Sequence, residues 1–113
     1  MTLSAFVSLA APLAFACNLH ALSHDERVRH ARSTERLHAA VLETRELESG
    51  YRFRLAEPGM DLPALAEWVR LERRCCPFFT FAIEVEGGGG ATWLALSGAA
   101  GVKEFIRAEL SLN

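Results

Sequence analysis

The sequence predicts an α+β fold, a single-domain two-layer sandwich with the element order β-α-β-α-β-β-α. Apolar and polar residues alternate with a period of two in three runs, which is typical of strands with one exposed face. Amphipathic runs with helical spacing lie between turn residues. At 113 residues the chain is near the usual size of one domain. We divide it into an apolar N-terminal segment, residues 1–15, which is a signal peptide or a strand extension, and an α+β domain, residues 16–113.

The first half of the chain predicts a strand, a long helix and a second strand. The apolar run Leu13–Leu19 predicts a buried strand. Ser23 and Glu26 have the spacing of a capping box, which begins a helix, and Gly50 is a suitable residue to end it. Residues 51–55 then alternate apolar side chains with two arginines, which predicts a strand with one exposed face.

A second helix is predicted between Asp61 and Cys75. Asp61 can cap its N-terminus, and Pro63 lies in the first turn, where a missing amide hydrogen is harmless. Pro77 disfavours helical geometry at the residue before it. The helix should therefore end at about Cys75, beside Cys76.

The last part of the chain predicts a hairpin and a third helix. Residues 79–85 and 91–97 alternate apolar and polar side chains on either side of four glycines, which we interpret as the hairpin loop. An amphipathic helix follows from Gly101, with apolar residues on one side.

The charge balance limits the partners of the protein. A formal net charge of −2 and a pI near 6.1 argue against nucleic acids and anionic membranes, which attract basic proteins. Pro12 and two serines interrupt the apolar N-terminal run, so it falls short of the roughly 18 residues of a membrane span. We expect a metal ion or a small thiol-reactive molecule as partner, and a homodimer stays open.

The number of cysteines predicts the redox state. Small secreted scaffolds carry many cysteines in even numbers, whereas this chain has three. We therefore expect reduced thiols rather than a disulfide-stapled fold, and a cytoplasmic location. The alternative is export, if residues 1–16 are a signal peptide, because Ala14 and Ala16 fit a cleavage site.

The adjacent cysteines Cys75 and Cys76 are the strongest chemical signal in the sequence. A fold that brings Cys17 to this pair would create a three-sulfur site for a thiophilic ion, which the protein would sequester, sense or deliver. Two sulfurs suffice for linear Hg(II) or Cu(I), and three suit As(III) or trigonal Hg(II). Structural Zn(II) needs four donors, and His20, spaced as C-x-x-H from Cys17, would complete a Cys3His set.

Two other function classes stay open, and the sequence does not decide whether the protein is an enzyme. A thiol-dependent redox enzyme or transferase would use Cys75 or Cys76 with a thiol pKa well below about 8.5, and its catalytic residues are unknown. A non-catalytic interaction module would use the cysteines only to fill its core. Glu72, one helical turn before Cys75, could accept a thiol proton, although a solvated charge is the simpler interpretation. His30 is expected to be exposed on the charged first helix.

Five segments stand out together: Cys17-Asn18, Tyr51-Arg52-Phe53-Arg54-Leu55, Leu65-Ala66-Glu67-Trp68, Leu71-Glu72-Arg73-Arg74-Cys75-Cys76-Pro77-Phe78-Phe79 and Trp93-Leu94-x-Leu96-x-Gly98-x-x-Gly101-Val102-Lys103-Glu104-Phe105. In these segments the chain resembles a family of small uncharacterised bacterial proteins with an E-R-x-C-C-P-F motif and an upstream Cys-Asn, over roughly residues 16–110. The early cysteine and the later pair occur together in that family, which implies a shared thiol site. The chain departs from the family in its longer apolar extension and in Ala99, where proline is expected.

Overall fold

The structure of the protein is a computed structural model that describes residues 16–110. A short 3-10 helix, Leu19–Ala21, comes first. The other elements are α1 (His24–Ala40), β1 (Val41–Leu47), β2 (Gly50–Leu55), α2 (Leu62–Cys75), β3 (Thr80–Val85), β4 (Thr92–Ser97) and α3 (Val102–Glu109). This mixture of helices and strands confirms the predicted α+β class. None of the helices in this part of the chain is long and apolar enough to cross a membrane.

The four strands form one antiparallel sheet in the order β1-β2-β4-β3. Phe53 on β2 lies opposite Leu94 on β4, and Tyr51 lies opposite Leu96, so these side chains share one face of the sheet. All four are buried in the core, together with Trp68 of α2. Helix α3 contacts β2 and β4, and α1 packs against α2. The two-layer arrangement stays a prediction.

The first strand that the sequence predicts, Leu13–Leu19, is not observed in the described residues. Residues 13–15 lie outside them, residues 16–18 have no regular structure, and Leu19 begins the 3-10 helix. The Asn18 side chain accepts a hydrogen bond from the His20 amide, while the Asn18 amide donates to the Cys75 carbonyl at 2.7 Å. The segment thus bonds to its own turn and to α2, so it is not a strand of the sheet.

The prediction that the first helix continues to Gly50 is wrong, because α1 ends at Ala40 and β1 begins at Val41. Residues 41–47 contain leucine, glutamate and arginine, which also favour helices. They form a strand here because they pair with β2 across a tight turn, and Glu43 forms ion pairs with Arg45 and Arg54. Tertiary pairing therefore outweighs local helix propensity.

The other local predictions are confirmed. Ser23 and Glu26 form a reciprocal capping box, and Asp61 accepts a hydrogen bond from the Ala64 amide at 3.0 Å. The glycine run is the loop of the β3-β4 hairpin, and Gly101 precedes α3 with a φ of 97°, in the left-handed region. Each signal involves residues close in sequence, which explains why the chain alone reveals it.

We expect Gly50→Ala to destabilise the fold by about 3 kcal/mol, as overpacking does in close-packed interiors. A Cβ at Gly50 would lie 1.9 Å from the Leu96 carbonyl oxygen and 2.7 Å from the Ser97 Cα, so β2 and β4 would have to separate. Urea denaturation measures the effect. Gly87→Ala is the control, because a Cβ there meets no atom within 4 Å. Equal stability of the two variants would contradict this packing.

Candidate metal centre

The three cysteines meet at the carboxyl end of α2. Helix α2 ends at Cys75, and Cys76 caps it by donating its amide to the Glu72 carbonyl at 2.7 Å. Cys17 approaches from the N-terminal segment, and its Cα lies 4.8 Å from the Cα of Cys76. The three Sγ atoms lie within 4.8 Å of one another. The fold therefore brings Cys17 to the pair Cys75 and Cys76, as a three-sulfur site requires.

Two arginines hold the N-terminal segment against the helices. Arg74 of α2 donates to the Ala21 carbonyl and forms an ion pair with Glu26 of α1, both at 2.8 Å. Arg27 donates to the Leu22 carbonyl, also at 2.8 Å. These charge-assisted bonds satisfy carbonyls that the irregular segment would otherwise leave unpaired. They hold the 3-10 helix and the residue after it, while the bond from the Asn18 amide to the Cys75 carbonyl and the Cys17–Cys76 disulfide hold Cys17 beside the end of α2.

The redox state differs from the expectation of reduced thiols. Cys17 and Cys76 form a disulfide, and Cys75 is the one free cysteine among residues 16–110. The number of cysteines favours reduced thiols, but it carries no information about which cysteines lie close together in the folded chain. The segment contacts bring the two Cα atoms to a separation that a disulfide can bridge. The Cys75 Sγ lies 3.9 Å from the Cys76 Sγ.

A second cluster of donor atoms shares Cys75. His30 Nε2 lies 2.6 Å from Glu72 Oε1, and the Cys75 Sγ lies 3.9 Å from the same oxygen. The three donor atoms lie within 4.8 Å of one another. Glu72 and Cys75 project from one face of α2 because they are three residues apart. Glu72 therefore lies beside Cys75, as its position one helical turn earlier predicts, and its carboxylate also pairs with His30.

The histidine that lies close to Cys75 is His30. His20 is exposed in the 3-10 helix and belongs to neither cluster of donor atoms, so the structure does not bring the four residues of a Cys3His set together. His30 is only 6% exposed, and the expectation that it is exposed is wrong. Its spacing from Leu37 and Ala40, also buried on α1, could have revealed this face in the sequence.

Packing between α1 and α2 fixes the His30 ring. The ring stacks on Trp68 of α2 at a centroid distance of 5.8 Å. The Trp68 Nε1 donates to the Thr34 hydroxyl at 3.0 Å, and that hydroxyl donates to the His30 carbonyl at 2.8 Å. His30 Nδ1 is buried, and no hydrogen-bond partner for it is found in the described residues. The ring is therefore positioned by contacts outside the donor cluster.

The surroundings of Cys75 keep its thiol protonated. Burial, followed by the negative charge of Glu72, raises the pKa of Cys75 to about 11 from an ordinary 9.0. Arg74, which the sequence places next to the thiol, is instead paired with Glu26. A thiol enzyme needs a lowered pKa, so this environment does not favour a nucleophilic role for Cys75.

A cleft gives access to the two clusters. It has a volume of about 710 Å³ and is lined by Cys17 and Cys75 together with His30, Glu72 and Glu109. Cys76 is fully buried and does not line it. An ion in the cleft would therefore meet Cys17 and Cys75 first. Cys75 and Cys76 belong to the buried core, whereas Cys17 is partly exposed at the cleft.

Comparisons with known proteins add no information about function. No family model, no curated protein and no solved structure matches the chain. The resemblance to the E-R-x-C-C-P-F family therefore stays a prediction.

We expect slow alkylation of Cys75 near neutral pH in protein with the Cys17–Cys76 disulfide intact. The rate should rise towards pH 11, because the pKa of the thiol is about 11 and only the thiolate reacts. Glu72→Gln removes a negative charge and should shift this midpoint to lower pH. Glu67→Gln, an exposed change on α2, is the control. A wild-type midpoint below about 8.5 would contradict the described environment.

We expect Glu26 to stabilise the protein at neutral pH and to lose this effect in acid. Hydrogen bonds from the Ser23 amide and from Arg74 lower the pKa of Glu26 to about 2 from an ordinary 4.5. A lowered pKa stabilises the folded state above pH 4.5, and the stabilisation disappears as the pH falls from 4.5 to about 2.

Urea denaturation of the wild type and of Glu26→Gln across this pH range measures the effect. The variant should be less stable at neutral pH and should lose less stability in acid. Glu35→Gln, an exposed change on the same helix, should behave as the wild type. If Glu26→Gln and the wild type lose stability in parallel, the Glu26 contacts do not contribute.

Proposed function

We propose that the protein binds a thiophilic metal or metalloid ion through Cys17, Cys75 and Cys76, for sequestration, sensing or delivery. The observation that carries this proposal is the approach of all three Sγ atoms to within 4.8 Å beside an open cleft. The disulfide joins Cys17 to Cys76, and Cys75 is the sequence neighbour of Cys76, so reduction would leave three thiols close together. The chain has no other cysteines.

The separation of the Cys75 and Cys76 sulfurs supports coordination of one ion by this pair, and reduction of the disulfide would free Cys17 as a third donor. Around an ion with metal–sulfur bonds of about 2.3 Å and tetrahedral angles, two sulfurs lie about 3.8 Å apart. The Sγ atoms of Cys75 and Cys76 are 3.9 Å apart, close to this value. Three thiolates suit pyramidal As(III) or trigonal Hg(II), and two of them suffice for Hg(II) or Cu(I). Zn(II) would need a further donor.

Reduction of the Cys17–Cys76 disulfide is the condition for binding. Only thiolates bind soft ions, so the disulfide form offers one sulfur and the reduced form offers three. A reducing compartment favours the second form, and cytoplasmic location is therefore part of the proposal. Binding also releases protons, because a bound thiol is deprotonated, and the raised pKa of Cys75 makes binding at neutral pH weaker than for an ordinary thiol.

The test is a titration of protein reduced with a phosphine, in the absence of oxygen, with Hg(II), As(III), Cu(I) and Zn(II). We expect one ion per chain by intact mass and tighter binding of the soft ions than of Zn(II). Changing both Cys75 and Cys76 to Ser should weaken binding by at least about a hundredfold, which corresponds to about 2.7 kcal/mol. Equal affinity of the wild type and this variant would refute the proposal.

Single variants separate the roles of the donors. Cys17→Ser should weaken As(III), which needs three sulfurs, more than Cu(I), for which two suffice. His20→Ala tests whether this exposed histidine helps, and because His20 belongs to neither cluster of donor atoms we expect no change. Circular dichroism of each variant checks that the fold is intact. Equal losses of As(III) and Cu(I) in Cys17→Ser would contradict the three-sulfur arrangement.

A further inference from the structure

A separate set of three donors remains available when the disulfide is formed. His30 Nε2, Glu72 Oε1 and Cys75 Sγ lie within 4.8 Å of one another, and none of these residues takes part in the disulfide. The set combines one nitrogen, one oxygen and one sulfur. Soft ions prefer several sulfurs, whereas Zn(II) binds all three of these donor types.

We propose that His30, Glu72 and Cys75 form a second metal site, for a borderline divalent cation of the Zn(II) class, in the disulfide form of the protein. This inference does not depend on the three-sulfur site, because it uses a different ligand set and a different redox state. Both sites include Cys75, but they form in different redox states of Cys17 and Cys76. The redox state of Cys17 and Cys76 then selects the class of ion.

The distances require only a small rearrangement. In a tetrahedral zinc site, the nitrogen and oxygen ligands lie about 3.3 Å apart, and the sulfur and oxygen ligands lie about 3.5 Å apart. The corresponding separations here are 2.6 Å and 3.9 Å. The shorter one is the hydrogen bond between His30 and Glu72. A cation that replaces this proton needs the nitrogen and the oxygen to separate by about 0.7 Å.

The residues around the three donors favour a four-coordinate cation whose fourth coordination position is open to water. The His30 ring is held by stacking on Trp68, and Glu72 and Cys75 are fixed on one turn of α2, so the donors are pre-positioned. Glu109 lines the same cleft and adds a second carboxylate. With three ligands from the protein, the fourth position of a tetrahedral ion would face the cleft, where water can bind.

The test uses Co(II) as a visible probe of a zinc-type site. Protein with the disulfide intact, shown by a single alkylatable cysteine in the mass spectrum, is titrated with Co(II) and then with Zn(II). We expect tetrahedral Co(II) absorption, a thiolate-to-Co(II) charge-transfer band, and displacement by an equal amount of Zn(II). Absence of the charge-transfer band would overturn the proposal.

Four variants identify the ligands. Cys75→Ser should abolish the charge-transfer band, and Glu72→Gln should weaken Co(II) binding by at least about tenfold, since even the loss of an outer-shell partner costs that much. Glu109→Gln removes a charge from the same cleft without removing a ligand, and it should weaken binding less than Glu72→Gln. Changing both Cys17 and Cys76 to Ser removes the disulfide and two sulfurs, yet the Co(II) spectrum should persist.

Loss of the Co(II) spectrum in the folded Cys17 and Cys76 double variant would overturn the assignment, because the ion would then depend on those sulfurs. Failure of this site is distinct from failure of the soft-ion site. The Co(II) experiment uses the oxidised protein, and the soft-ion titration uses the reduced protein. If Glu72→Gln does not fold, Cys75→Ser and the double variant still decide the outcome.

Discussion

Hydrogen bonds from Arg74, Arg27 and the Asn18 amide fasten the N-terminal segment to α1 and α2, and the arrangement of the site depends on them. The segment has few regular backbone bonds of its own. Without these contacts only the disulfide to Cys76 would hold Cys17, and in the reduced protein Cys75 and Cys76 would be only a vicinal pair at the end of a helix. With them, the sulfur of Cys17 lies close to the sulfurs of Cys75 and Cys76, which are distant from it in sequence.

The burial of Cys75 determines the chemistry of its thiol. A thiol that is removed from water and placed beside a carboxylate stays protonated, so Cys75 is a poor nucleophile. The same carboxylate makes the place suitable for a cation, because a metal ion compensates the negative charge that burial otherwise disfavours. Glu72 therefore disfavours Cys75 as a nucleophile and favours a cation beside it. Its hydrogen bond with His30 connects α2 to α1 at this point.

The sequence was sufficient where a structural signal is local. The capping box of Ser23 and Glu26, the cap at Asp61 and the glycine hairpin each act over a few residues, and each is present. The boundary at Ala40 was missed because residues 41–47 suit a helix or a strand about equally. Their pairing with β2 decides in favour of the strand, and pairing energy is not visible in the segment itself.

The sequence by itself determined the α+β class and the position of Cys75 and Cys76 at the end of a helix, because hydrophobic period and proline geometry act locally. Only the tertiary structure decided that Cys17 joins Cys76 across 59 residues, and that His30, 42 residues from Glu72, is the histidine at the site. These choices depend on how α1, α2 and the N-terminal segment pack against one another. Contacts between distant segments follow from the packing of the whole chain and leave no mark in the spacing of nearby residues.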